Sequence, residues 1–256
     1  MNLLDAHTHL HFPDFTEGVD EILARAEKAG VKYFLNTGTN NPTSWQAIEF
    51  AKKYPNVYAA IGVHPNESYQ VPPHELAEFD EMVQEPKVVA IGEIGLDYYR
   101  NTSPPASQRE TLTNFFKIAE RYKKPIVLHI RDAYDDVIHM LKDFFKPPIH
   151  GMSHCFSGTL EHMEQLVQLG LHISFAAPVT YPKNDALREA VKLCPAHRIF
   201  VETDAPYLPP QSMRGKRNEP SYLVETAKQV ADIKQMSLED LSAQLLKNAH
   251  ELFGIN

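Results

Sequence analysis

The sequence predicts a single (β/α)8 TIM barrel with an additional C-terminal helix, spanning residues 1–256, and three observations carry that prediction. Eight short apolar or β-branched runs alternate with stretches of helical period. No Gly/Ser-rich linker or composition break divides the 256 residues, and α/β barrels routinely occupy that length as one domain. The turn after the first run carries His-Thr-His-Leu-His, where a doubly wound sheet, the runner-up, would more naturally carry a glycine-rich phosphate fingerprint.

Strands are expected at Leu3 to Ala6, Tyr33 to Asn36, Val57 to Gly62, Val88 to Glu93, Ile126 to His129, Ile149 to His154, His172 to Phe175 and Ile199 to Thr203. Between them, Val19-Ile22-Leu23-Ala26 keeps helical spacing up to Gly30, Trp45-Ile48-Ala51 up to Pro55, and Leu76-Phe79-Met82-Val83 up to Pro86. Leu112-Phe115-Phe116-Ala119, Val137-Leu141-Phe144, Met163-Leu166-Leu169 and Leu187-Val191 continue the series. Two last helices follow, over Tyr222 to Ile233 and Leu238 to Phe253, the second opened by Ser237 with Asp240 in a variant capping box. The long excursions after the third and fourth strands, Val63 to Leu76 and Ile94 to Glu110, fall where a barrel places its active-site loops.

A hydrophobic fraction of 43% and a charged fraction of 23% belong to a chain that buries a sizeable core. With no run of 18 apolar residues and no basic leader, the expectation is a cytoplasmic protein without a membrane partner or an obligatory protein partner. Cys155 and Cys194, lacking CxxC spacing, are expected as free thiols. The net charge of −8 gives no field for a dedicated nucleic-acid binder, so a polyanionic substrate must be held by local cations and by metal.

His7 and His9, spaced i, i+2 on a strand, share a face and can close on one metal ion. Asp5 would lie on that face one step deeper, placed to accept a ring N–H and fix a histidine tautomer. The other strand ends bring Glu93, His129, His154 and Asp204 to the same rim. Four imidazoles and two carboxylates from five strands suit two metal ions with one carboxylate bridging.

Asp5-Ala6-His7-Thr8-His9-Leu10, Gly62-Val63-His64-Pro65, Gly92 to Tyr99, His129-Ile130-Arg131-Asp132, His154-Cys155-Phe156-Ser157-Gly158, Glu202 to Leu208 and Arg214 to Pro220 resemble the signature blocks of the TatD-type metal-dependent DNases, in the family's order. The resemblance implies an amidohydrolase-like metal-dependent hydrolase, a deoxyribonuclease acting as a 3′–5′ exonuclease on single-stranded DNA, with RNA as a further substrate. It also implies His7, His9, Glu93 and Asp204 at one metal, with Glu93 bridging to a second held by His129 and His154. Related barrels that bridge with a carboxylated lysine differ here, where Glu93 has no lysine beside it.

Two divalent ions would acidify a bridging water and hold a phosphate for attack by hydroxide. Asp204 is the candidate general base, and Asp204 and Glu93 are the candidate catalytic carboxylates. Glu202 is placed to orient a liganding histidine. Arg131, His64 and the basic loop Arg214-Gly215-Lys216-Arg217 are the expected phosphate contacts, and Tyr98 and Tyr99 could stack a base or simply pack. Four imidazoles favour zinc, manganese, cobalt or nickel, whereas nuclease activity in the family suggests magnesium. Two alternatives stay open: an ester or amide hydrolase, such as an aminoacyl-tRNA deacylase, and a non-catalytic scaffold.

Overall fold

The computed structural model describes residues 1–69, 71–100 and 102–255; residues 70 and 101, inside the two long excursions, and residue 256 lie outside them. Eight strands, β1 (Leu3–Thr8), β2 (Val31–Thr37), β3 (Val57–Ile61), β4 (Val88–Asp97), β5 (Ile126–Arg131), β6 (Gly151–Ser153), β7 (His172–Phe175) and β8 (Ile199–Val201), form one parallel sheet in chain order. Parallel neighbours need a crossover between them, and helices supply it. These are α1 (Val19–Ala29), α2 (Asn41–Lys53), α3 (Pro73–Met82), α4 (Pro105–Tyr122), α5 (Tyr134–Phe144), α6 (Leu160–Leu169) and α7 (Asp185–Leu193). Two more, α8 (Leu223–Lys234) and α9 (Leu238–Phe253), follow the last strand, giving the expected TIM barrel with its extra helix. Among the described residues, no helix is long and apolar enough to cross a membrane.

The helices begin and end where their chemistry dictates. Asn40 accepts the Thr43 N–H while the Thr43 hydroxyl meets the Asn40 backbone, a reciprocal cap that starts α2. Gly30 ends α1 at φ 99°, a left-handed conformation that glycine adopts without a Cβ penalty. At α9, Ser237 accepts the Asp240 N–H as expected, but the Asp240 carboxylate accepts from the Ser237 hydroxyl instead of reaching the backbone N–H, so only half of the capping box forms.

Apolar side chains divide between two regions. The outer faces of the strands pack against the helices around fully buried Phe34, Phe79, Phe115 and Phe116. A smaller cluster takes Leu4, Ala6, Leu35, Ala60, Ala90, Val127, Met152 and Phe200 from seven of the strands and adds Ala249, Leu252 and Phe253 of α9 with Ile255. The extra helix thus seals the barrel's N-terminal end. β7 contributes His172 there instead, its ring 5.1 Å from that of Phe200.

Two departures from the expected strands shape the site. β4 continues four residues past Glu93, pairing Leu96 with Ile130 and Asp97 with Arg131 after an irregularity between Ile91 and Ile94. Gly95 makes this possible, because at φ 151° a Cβ there would stand 1.8 Å from the His129 carbonyl oxygen. The seam between β8 and β1 is the second. Beyond the single Thr8–Ala205 bridge, the backbone bonds are His9 N–H to Ala205 O and Asp204 N–H to His7 O, both 2.9 Å. Asp5 reinforces them by accepting from Thr203 N–H (2.9 Å) and the Thr203 hydroxyl (2.5 Å). It therefore ties the first strand to the last and does not receive a histidine ring N–H; its deep burial pushes its carboxyl up to about 8.

Candidate metal centre

At the C-terminal rim the ends of five strands bring six side chains together. His7 is the penultimate residue of β1 and His9 follows the strand; their Nε2 atoms are 3.3 Å apart. Glu93 Oε2 lies 3.4 Å from His7 Nε2 and 3.8 Å from His9 Nε2, and Asp204 Oδ1 lies 3.8 Å and 3.5 Å from the same two atoms. Asp204 stands at φ 55° just past β8, a left-handed conformation that aspartate tolerates better than bulkier residues. The other oxygen of Glu93, Oε1, faces a second set: His129 Nδ1 at 2.8 Å and His154 Nε2 at 2.9 Å, with those nitrogens 3.2 Å from each other. One carboxylate thus divides its oxygens between two clusters.

These separations fit metal ligation. Ligand atoms about 2.1 Å from a zinc-like ion stand about 3.0 Å apart at a right angle and about 3.4 Å apart at the tetrahedral angle. The second cluster spans 2.8–3.2 Å and the first 3.3–3.8 Å. Ring tautomers agree, because a ligand nitrogen must offer a lone pair and its partner nitrogen is then free to donate. His9 Nδ1 lies 2.7 Å from the Thr37 carbonyl, and His154 Nδ1 lies 3.2 Å from Glu202 Oε1, so both rings donate away from the centre. Glu202 also receives the Cys155 N–H at 2.8 Å, on the same Oε1 that faces His154. His64 has the opposite pattern: its Nδ1 accepts the Asn66 N–H at 3.0 Å, which leaves the ring proton on Nε2, 3.5 Å from Glu93 Oε1. It is built as a donor and not as a ligand.

Burial would raise the Glu93 carboxyl, but His154, His64 and His129 surround it and hold it well below the usual range. Asp204 follows the same logic, its burial outweighed by His9, His154 and His7. Burial lowers His154, yet Glu93 and Glu202 lift it well above the ordinary imidazole range. Burial dominates at His64, which falls to about 3 and stays neutral at physiological pH. A cation ligated by His154 would have to displace any proton from Nε2, so binding there would be coupled to proton release.

The centre floors a cavity of about 700 Å³ whose lining includes His64, Arg131, Arg100, Asn66, Phe12 and Tyr207. The Arg131 guanidinium lies 3.8 Å from the Tyr99 ring centroid, so Tyr99 supports an arginine, while Tyr98 packs outward with its hydroxyl 2.7 Å from Asp136. Arg214 is not brought to this cavity: it stacks over Tyr181 at 4.6 Å. Arg217 is tied down by Glu17, and Arg217 and Arg25 share Glu219, so much of the basic loop's charge is neutralised at home. Arg100, Asn66, Phe12 and Tyr207 were not singled out from sequence, nor was Asp97, whose Oδ2 lies 3.2 Å from His129 Nε2. Asp97 had a readable signal: it is i+4 from Glu93 on a strand that had only to be continued. Cys155 and Cys194 are free thiols, as expected.

Residues 4–254 match the family described as TatD related DNase. The metal-dependent hydrolase YabD of Bacillus subtilis is 37% identical over 99% of this chain and 100% of its own. The 3′–5′ ssDNA/RNA exonuclease TatD of Klebsiella pneumoniae is 36% identical over 99% of this chain and 98% of its own. Among solved structures, the TatD homologue YJJV of Escherichia coli superposes with a TM-score of 0.94 at 30% identity, covering 99% of this chain and 98% of that one.

Proposed function

The chain belongs to the TatD related DNase family and is a metal-dependent hydrolase acting on ester bonds, and from that premise we propose that it removes nucleotides from the 3′ end of single-stranded DNA or RNA. The observation that carries the reading is the split of Glu93, one oxygen toward His7 and His9 and the other toward His129 and His154. His7, His9 and Asp204 would hold one divalent cation and His129 and His154 another, with Glu93 available to both. The imidazole-rich set favours zinc, manganese, cobalt or nickel for tight retention, with magnesium competent for turnover.

When bound, such cations would acidify a water toward neutral pH and draw charge from the phosphoryl oxygens. Asp204 takes the proton of the attacking water and returns it to the leaving 3′ oxygen. His64, neutral and protonated on Nε2, donates to a phosphoryl oxygen. Arg131 presents its planar fork to the phosphate, steadied by Tyr99, and Arg100 adds a second cation on the same wall. Arg214, outside the lining, is assigned no phosphate. The aminoacyl ester or amide alternative is not favoured by the named relatives.

The test is product analysis on single-stranded oligonucleotides labelled at the 3′ or 5′ end, run with each of several divalent ions. Mononucleotides released first from the 3′ label are expected. No cleavage with any ion would sink the nuclease reading, and release first from the 5′ label would sink its polarity.

A further inference from the structure

Asp97 is buried at the end of β4, and each of its carboxylate oxygens is committed. Oδ1 accepts the backbone N–H groups of Tyr99 (3.0 Å) and Arg100 (2.9 Å). Oδ2 accepts from the Asn66 amide (3.1 Å) and stands 3.2 Å from His129 Nε2. The backbone is held as firmly, because the Gln108 side chain bonds both the Asp97 N–H (2.8 Å) and the Asp97 carbonyl (3.1 Å). A carboxylate so placed can only accept. We propose that Asp97 is a positioning residue that keeps the proton of His129 on Nε2 and thereby reserves Nδ1 for the cation shared with Glu93 and His154. This rests on the two-cation reading above.

The geometry makes an unusual prediction for an isosteric change. In Asp97→Asn the two backbone N–H groups still demand an oxygen at the Oδ1 position, so the new amide nitrogen takes the place of Oδ2. It then points a donor at His129 Nε2, which must answer with a lone pair, and the neutral ring carries its proton on Nδ1. That nitrogen faces Glu93 Oε1 at 2.8 Å and can no longer ligate. Asn66→Ala is the control: it removes another hydrogen bond from the same carboxylate but leaves an acceptor facing His129.

The experiment is elemental analysis of full-length protein equilibrated with zinc, with zinc titrations for affinity. Wild type and Asn66→Ala should hold two ions per chain and Asp97→Asn one, the lost ion weakened by about 10- to 100-fold as expected when a histidine loses its orienting partner. Two ions held at wild-type affinity by Asp97→Asn, loss of both ions from it, or equal loss from Asn66→Ala would each overturn the proposal while leaving the two-cation reading intact. Fewer than two ions on the wild type would overturn that reading and the proposal with it. Should Asp97→Asn not fold, nitrogen-15 NMR of the zinc-loaded wild type decides: a proton on His129 Nε2 supports the assignment, and a proton on Nδ1 overturns it.

Discussion

Arg131 and Arg214 pose a matched test of substrate binding, since each stacks on a tyrosine and, among the described residues, neither meets a carboxylate within 4.0 Å. Arg25, Arg109, Arg121, Arg188 and Arg217, by contrast, are all ion-paired. Of the two stacked arginines, Arg131 lines the cavity over the centre and Arg214 does not. A charge-assisted hydrogen bond is worth about 1.5 to 3 kcal/mol, so Arg131→Ala should weaken binding of a single strand by about 10- to 150-fold. Losing one phosphate contact should also lower the slope of log affinity against log salt by about 0.7. Between 50 and 200 mM salt that is a change of about 2.6-fold in the salt sensitivity. Fluorescence anisotropy with a cleavage-resistant phosphorothioate oligonucleotide measures both quantities. Arg214→Ala should stay within about twofold of wild type, as an exposed substitution away from the contact. If Arg131→Ala moved affinity and slope no more than Arg214→Ala does, the assignment of the cavity wall to phosphate would fail.

Asp204→Asn keeps the shape of the rim but removes the proposed base, and turnover of a labelled oligonucleotide should fall about 10²- to 10⁴-fold; near wild-type turnover with full metal content would reject that part for Asp204. His172→Leu tests the barrel floor, where burial and Arg198 lower the imidazole to about 4. Because the folded ring titrates below the unfolded one, its neutral form contributes full stability above about pH 6.5, and that contribution is lost as pH falls toward 4. At pH 4.5 the cost is about 2.5 kcal/mol. Urea unfolding of the leucine variant should therefore lose less stability than wild type between pH 7 and 4.5, and parallel losses would refute the reading.

The strands and the convergence of the candidate side chains on one rim were readable because both depend on local pattern. Strand ends follow from short apolar runs, and a histidine or carboxylate at the end of a strand is visible once the run is placed. His129 and His154 needed no knowledge of each other to be found. Pairings across the sequence were not readable. Asp5 had two possible partners, a ring N–H on its own strand or the backbone and hydroxyl of Thr203, and only closure of the barrel brings the second within 2.9 Å. Arg217 reads as a free cation until Glu17, 200 residues earlier, is folded against it. β4 read short because Gly92 and Gly95 look like turn residues, whereas Gly95 lets the strand pass close to His129 and so delivers Asp97.

The join between the first and last strands has a consequence for when this protein becomes competent. His7 and His9 leave the ribosome early and Asp204 late, and the few bonds that hold them in register all involve residues 203–205. A nascent chain halted after β7 already carries Glu93, His129 and His154, yet it offers the other two imidazoles no carboxylate from the far side. Competence is thus withheld until synthesis is nearly finished, because a chain ending before Thr203 lacks both the Asp204 carboxylate and the seam bonds, along with the core side chains of α8 and α9.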